Sequence, residues 1–388
     1  MLFAVTVHET LHDRLENDCG ISGIPLAWID DYLDDRTESV GIDGVTSKPV
    51  IVKDGVPQGS VLGPKFYAAY VNTLRKVVEP YGITIKQYSD DTTIYLEFSF
   101  PPDIPDQIDA LRILSSCAGD LINWSTFNLV KLNPAKSLFF YSAPSELADE
   151  LPLLPLRVGD EPLLPSTSVK VLGVVFSSDL SMDRQIASIS RAANFNLYRL
   201  GKIRSCLTTE AAKILVHSLV ISHLDYANSL LAELPKKKLK PLQSIQDSAA
   251  RLIYRGTFST EESKFRLHWL PIYYRIRFKV LLLIFDCLQG TAPVYLQHCV
   301  HLHVPGHSGI RRTARSLEVS PSRRKEKRRK KSIPSKPAYQ KRAFTNYAPQ
   351  IWNILPPTIR STTDRREFKN ILKTHFFSLS YPSLIVQH

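Results

Sequence analysis

Residues 83–96 leave the chain little conformational choice. Ile83-Thr84-Ile85-Lys86-Gln87 and Thr92-Thr93-Ile94-Tyr95-Leu96 are short, apolar and β-prone, and each alternates its side chains as a two-faced strand does. Only Tyr88-Ser89-Asp90-Asp91 separates them. The segment therefore predicts a tight antiparallel hairpin with two adjacent carboxylates at its tip. Such a pair cannot be buried without a cation, which points to a divalent metal held by oxygen ligands and shared with a phosphate substrate. An ordinary Asp-rich turn would give the same string, because Asp is a common turn residue.

Upstream lies Gly55-Val56-Pro57-Gln58-Gly59-Ser60-Val61-Leu62-Gly63-Pro64. Three glycines and two prolines predict a structured turn that opens a helix over 65–78, with Phe66, Tyr70, Leu74 and Val77 at helical spacing. Glycine lets another backbone or a base come close, and Gln58 offers both a donor and an acceptor. Alone, the string is a plain strand-to-helix turn.

Together the two strings resemble motifs B and C of reverse transcriptases, in particular those of non-LTR (LINE-type) retrotransposons. The resemblance continues in order along the chain. Trp124, Asn128 and Leu132-Asn133-Pro134-Ala135-Lys136-Ser137 resemble motif D. Val171-Leu172-Gly173-Val174-Val175-Phe176 resembles the strand pair of the primer grip. Gly20-Ile21-Ser22-Gly23, Trp28, Tyr32-Leu33 and Arg36 are similar to the stretch between motifs A and B, and 348–356 is like the tail that follows these polymerases.

The resemblance implies an α+β fold: a right-hand polymerase palm, an antiparallel sheet with helices, followed by a helical thumb and a mostly helical C-terminal extension. It implies RNA-directed DNA polymerase chemistry, an in-line phosphoryl transfer to a primer 3′-hydroxyl assisted by two Mg²⁺ ions. Asp90 would be the principal metal ligand and catalytic carboxylate, and Asp91 the weaker or indirect one. Gln58 and Gly59 would lie against the template base and the incoming nucleotide. Lys136 is either a plain solvated lysine or the cation on the triphosphate side. The implied partners are an RNA template, a DNA primer and dNTP.

One position departs from the family. Phe3-Ala4-Val5-Thr6-Val7-His8 aligns, through His8, Leu11, Arg14 and Leu15, with a motif A that carries Asp second. Ala4 stands there and has no ligand atom, so two of three expected carboxylates remain and the two-ion site is incomplete. Glu9 and Asp13 lie several residues on, and Asp30-Asp31 and Asp34-Asp35 read as a solvated helix end. Losing a metal ligand costs orders of magnitude in a reaction carried by positioning and charge stabilisation. The fingers and endonuclease that precede motif A in the family are also missing ahead of Met1. The expectation is an inactive polymerase fragment; the alternative is a non-catalytic nucleic-acid-binding remnant using thumb and basic linker.

Charge supports an anionic partner. The 388 residues carry a net +12, and 44% apolar content suits a globular chain. Between Arg311 and Lys331 eleven basic residues face only Glu318 and Glu326, a net of +9 that leaves +3 for everything else. Such a run reads as a solvated, disordered tether that also binds phosphates in a salt-sensitive way, and it resembles a nuclear-import signal. The five cysteines are scattered, which fits an intracellular, reducing compartment. His298, Cys299, His301, His303 and His307 lack the second cysteine of a zinc knuckle. No run approaches the roughly eighteen apolar residues of a membrane span.

The expected organisation is a palm over 1–177, a thumb over 178–256, a helical extension over 257–305, a basic linker over 306–342 and a small C-terminal unit over 343–388 anchored by Trp352 and Phe368. Ile104, Ile108, Leu111, Leu114 and Leu121 predict a palm helix. Ile186, Ile189, Ala193, Leu197 and Leu200, then Ala211, Leu215, Leu219 and Leu224, predict thumb helices whose Arg191, Arg199, Lys202 and Arg204 face duplex phosphates or water.

Overall fold

The computed structural model describes residues 6–57, 59–98, 104–130, 132–133, 136–143, 153–159, 161–300, 317 and 342–385. The chain divides into two compact units, residues 1–141 with 149–166, and residues 142–148 with 167–388. Both combine helices with small antiparallel strand pairs, an α+β chain in which helix dominates. No helix among the described residues is long and apolar enough to cross a membrane.

The first unit opens with α1 (His8–Asn17) and α2 (Ile24–Leu33). Leu11 and Leu15 of α1 and Leu26, Ile29 and Leu33 of α2 fall on one face of each helix at three- and four-residue spacing and are buried together. Four two-residue strands follow: β1 (Thr37–Glu38), β2 (Gly41–Ile42), β3 (Val45–Thr46) and β4 (Val50–Ile51). The β2–β3 hairpin nests inside the β1–β4 pair, and Asp43 and Gly44 both take positive φ, as a tight hairpin turn requires. Next come α3 (Gly63–Val71) and α4 (Leu74–Val78), then β5 (Thr84–Tyr88) and β6 (Asp91–Tyr95). The expected single helix over 65–78 is interrupted at Asn72-Thr73, and Val78 rather than Val77 becomes fully buried.

α5 (Ile104–Phe127) packs on α4 and covers the β5–β6 hairpin. Its inward stripe differs by one residue from the expected one. Gln107, Ala110 and Cys117 are buried, whereas Ile108 is exposed, one helical step of about 100° away. β7 (Leu156–Val158) and β8 (Glu161–Leu163) complete this unit, with Phe139, Tyr141 and Leu156 forming a small cluster. The antiparallel pairs stay two-stranded among the described residues.

The second unit starts with the hairpin β9 (Ser168–Val171) and β10 (Val174–Ser177). The sequence reading assigns it to the palm, but its contacts tie it to the helices that follow. Val175 N donates to Gln185 Oε1 at 2.8 Å, and Tyr226 Oη donates to Leu172 O at 2.6 Å. A Cβ on Gly173, which has φ +81°, would meet the Tyr226 ring at 3.4 Å.

α6 (Asp183–Ile203) buries Ile186, Ile189, Ala193 and Leu200, the expected stripe. α7 (Thr209–Val216) runs through one π-helical turn, His217–Ile221, into α8 (Ser222–Asp225). Ala212, Val216, Val220 and Ile221 are buried, beside the expected Ala211, Leu215 and Leu219, of which Leu219 is exposed; Leu224 is buried as expected.

α9 (Lys236–Tyr254), α10 (Thr260–Arg266), α11 (Ile272–Leu288) and α12 (Val294–Gln297) follow, then α13 (Phe344–Ile354), α14 (Pro357–Arg360), α15 (Arg365–Ser380) and α16 (Pro382–Ile385). Trp352 and Phe368 are fully buried, but not in a core of their own. Phe368 stacks on Phe285 of α11 at 4.4 Å, and Tyr381 Oη donates to Trp269 O. The regions expected as thumb, extension and C-terminal unit thus share one core, because the amphipathic helices after the linker bury their apolar faces on α11. Apart from Leu317 and Arg342, the basic linker lies outside the described residues.

Candidate functional site

The hairpin forms as its sequence predicts. Tyr88 pairs with Asp91, so Ser89 and Asp90 make the reversal. Ser89 takes φ +53°, a conformation that costs an L residue energy and is commoner for glycine. Asp90 and Asp91 are both exposed. Water can solvate them at a two-residue tip, so no cation is needed for the fold to form.

Two contacts attach the hairpin to α3. Gln87 Nε2 donates to Val71 O at 3.2 Å. Tyr67 is buried beside Asp90, and its phenol is pushed up, first by burial and then by the Asp90 carboxylate. Tyr67 was not singled out from sequence; its signal was an aromatic residue one turn into the helix that Gly63-Pro64 starts.

That helix start depends on Gly63. Its N–H donates to Ser60 Oγ at 3.0 Å, and a Cβ there would sit 2.9 Å from the same oxygen and 3.4 Å from Pro57 O. Gly59 has φ +83° and open space around its Cα, so the loop presents backbone to solvent there. Gln58 lies outside the described residues.

The end of the motif A segment joins the same loop. Val7 bridges Asp54 in antiparallel fashion, Gly55 N donates to Thr6 O at 2.7 Å, and His8 Nε2 donates to Gly55 O at 2.8 Å. Thr6 is buried. Ala4 lies outside the described residues. Its methyl group supplies no ligand in any conformation.

Trp124 and Asn128, with Tyr70, have a packing role. They enclose Arg14, whose Nη2 donates to Asn128 Oδ1 and whose guanidinium lies 4.4 Å from the Tyr70 ring centroid and 5.6 Å from that of Trp124. Tyr70 Oη donates to Asn128 O, and Trp124 Nε1 donates to Thr73 Oγ1. The cluster ties α1, α3 and α5 together beneath the loop. Lys136 sits exposed in a short turn, its N–H donating to Asn133 O. No hydrogen bond or ion pair among the described residues joins its side chain to the hairpin.

Among the described residues no three His, Cys, Asp or Glu side chains gather as a metal site would need. Asp90 and Asp91 can offer oxygens to one hard cation at the hairpin tip, but with Ala4 the residues do not fit the three-carboxylate arrangement. His301, His303 and His307 of the histidine-rich segment lie outside the described residues.

Residues 3–176 match the family described as reverse transcriptase (RNA-dependent DNA polymerase). Over 323 residues, 78% of this chain and 32% of the relative, the sequence is 24% identical to the RNA-directed DNA polymerase from mobile element jockey of Drosophila melanogaster. It is 24% identical over 234 residues to the probable RNA-directed DNA polymerase from transposon BS, and 25% over 227 residues to that from transposon X-element, both of the same organism, covering 57% of this chain and 24% of each relative. The chain thus spans a third or less of the length of these curated relatives. The hairpin, the glycine-rich loop and these matches lead to one conclusion: residues 3–176 are a reverse transcriptase domain of the kind found in LINE-type, non-LTR retroelements.

Proposed function

We propose that this chain is the palm and helical thumb of a LINE-type RNA-directed DNA polymerase whose nucleotidyl-transfer site is disabled, leaving a nucleic-acid-binding scaffold. The observation that carries this reading is the carboxylate set. Asp90 and Asp91 are presented to solvent at the hairpin tip, while position 4 holds Ala. In the two-ion reaction one cation activates the primer hydroxyl and both neutralise charge on the phosphate, so a missing ligand removes much of the rate. Gly59 and the motif B loop would face the template base and incoming dNTP, and the hairpin β9–β10 would bear on the primer end. Lys136 would stand on the triphosphate side.

Primer extension on an RNA template tests this, with Mg²⁺ and with Mn²⁺. The expected result is no incorporation by the natural chain, and measurable incorporation on Ala4→Asp that Asp90→Ala abolishes again. Incorporation by the natural chain that Asp90→Ala eliminates would overturn the proposal.

The charge distribution favours a second reading within the same family, binding without any residual chemistry. Salt-dependent retention of a primer–template duplex by the natural chain, with Ala4→Asp still inert under Mn²⁺, would select it.

A further inference from the structure

We propose that the outer face of α6 binds single-stranded nucleic acid by stacking unpaired bases on Phe195 and Tyr198. The inference rests on the second unit alone and does not depend on the polymerase reading.

α6 buries Ile186, Ile189, Ala193 and Leu200 and turns its other side to solvent. That side carries Arg191, Phe195, Tyr198, Arg199 and Lys202, all exposed. Phe195 and Tyr198 keep 60% and 65% of their surface accessible, an unfavourable arrangement for large rings. Each ring has a cation beside it. Arg199 lies 5.6 Å from the Phe195 ring centroid, and Lys202 Nζ lies 5.1 Å from that of Tyr198. Arg191 stands one turn before Phe195. From Arg191 to Lys202 the stripe runs roughly 16 Å along the helix.

Charge decides the class of partner. No acidic residue occurs between Arg184 and Thr209, and Asp183, at the helix start, is bonded to Lys238 at 2.9 Å. An apolar protein surface would cover the two rings but leave Arg191, Arg199 and Lys202 uncompensated. A duplex would satisfy the cations but hides its base faces within the stack. A single strand offers both phosphates and exposed π-faces, and alternating cations and aromatics are what such a strand needs.

The test uses the full chain and fluorescence anisotropy with a labelled oligouridylate of about twenty nucleotides, beside an RNA–DNA duplex of the same length. A salt series suppresses the contribution of the basic run at 311–331, whose grip is purely ionic. Replacing both Phe195→Ala and Tyr198→Ala should weaken single-strand binding by roughly a hundredfold, about tenfold for each ring, and change duplex binding less than about threefold. Phe195→Trp with Tyr198→Trp should keep single-strand binding at or above the natural level. Equal losses on strand and duplex, no loss at all, or a Trp pair as weak as the Ala pair would each overturn the proposal. A second readout needs no variant. A 5-bromouridine oligonucleotide should photocrosslink to the α6 peptide at Phe195 or Tyr198; adducts confined to 311–331 would overturn it.

Discussion

Each unit of this molecule buries arginine, and Arg14 of the first and Arg204 of the second are held by opposite means. Arg14 and Arg204 are both only 8% exposed. Arg204 donates through Nε, Nη1 and Nη2 to the carbonyl oxygens of Leu252, Leu207 and Ile253 at 2.6–2.8 Å. Two of these are among the last carbonyls of α9, which carry the negative end of the helix dipole; Leu252 O has besides only a long bond from Arg255 N at 3.4 Å. Arg14 instead rests on the faces of Tyr70 and Trp124, bonds Asn128, and leaves Nη1 without a hydrogen-bond partner among the described residues. A fully bonded buried cation consolidates a fold, whereas a partly bonded one is a local compromise. The helical unit has the first kind. The unit that carries the polymerase motifs has the second.

The contrast can be broken by substitution, region by region, with hydrogen exchange reading each unit separately. The largest effect is expected in the core of the helical unit. Trp352→Ala should lower its stability by about 4 kcal/mol, since a fully buried indole leaves a cavity. Arg204→Met should cost about 2 kcal/mol, because it strands Ile253 O and leaves Leu252 O and Leu207 O only the long bonds to Arg255 at 3.4 and 3.5 Å, and protection should fall first at the end of α9. Arg14→Met should cost only about 1 kcal/mol, as the apolar chain keeps the ring contacts and removes the unpaired Nη1. If Arg14→Met proved as damaging as Arg204→Met, the two sites would not differ as described. Ser89→Gly should stabilise the β5–β6 hairpin by about 0.5–1 kcal/mol by relieving its positive φ, read as slower exchange at Gln87 and Thr92.

The smallest effect is a pH dependence in the first unit. The His12 ring is raised above 6.5, chiefly by its hydrogen bond with Asp30, which links α1 to α2. A histidine raised in the folded state adds stability that is complete below pH 6.5 and lost as pH rises through the folded value. Exchange of α1 and α2 should therefore be slower at acidic than at alkaline pH after correction for intrinsic rates. Asp30→Asn should remove that difference.

Much of the local structure was legible. Alternation plus a four-residue gap specified the 83–96 hairpin, and the 186–200 apolar spacing specified the buried face of α6. Asp43-Gly44 was an equally readable hairpin signal, yet the strands around it are so short that periodicity alone does not announce them. The misreadings have specific causes. Ala211, Leu215, Ala212 and Val216 are all apolar, and spacing alone does not say which of two adjacent apolar columns faces the core. Nor can it distinguish a solvent-facing arginine from one that caps a helix across 48 residues, which is why Arg204 read as facing duplex phosphates or water. At the candidate site, residue types identified the chemistry expected of Asp90 and Asp91, but exposure is a property of neighbours, and only the folded chain shows both carboxylates in water.

By itself the order of residues determined which chemistry this chain descends from. A glycine-rich turn, a hairpin with two aspartates and an alanine at position 4 are local facts, legible because strand period, turn residues and ligand atoms are set within a few positions. The tertiary structure decided which helices share a core, which arginines are buried, and that Phe195 and Tyr198 face outward. Those outcomes depend on contacts between residues distant in sequence, where burial is apportioned among competing faces, and no local pattern encodes the winner.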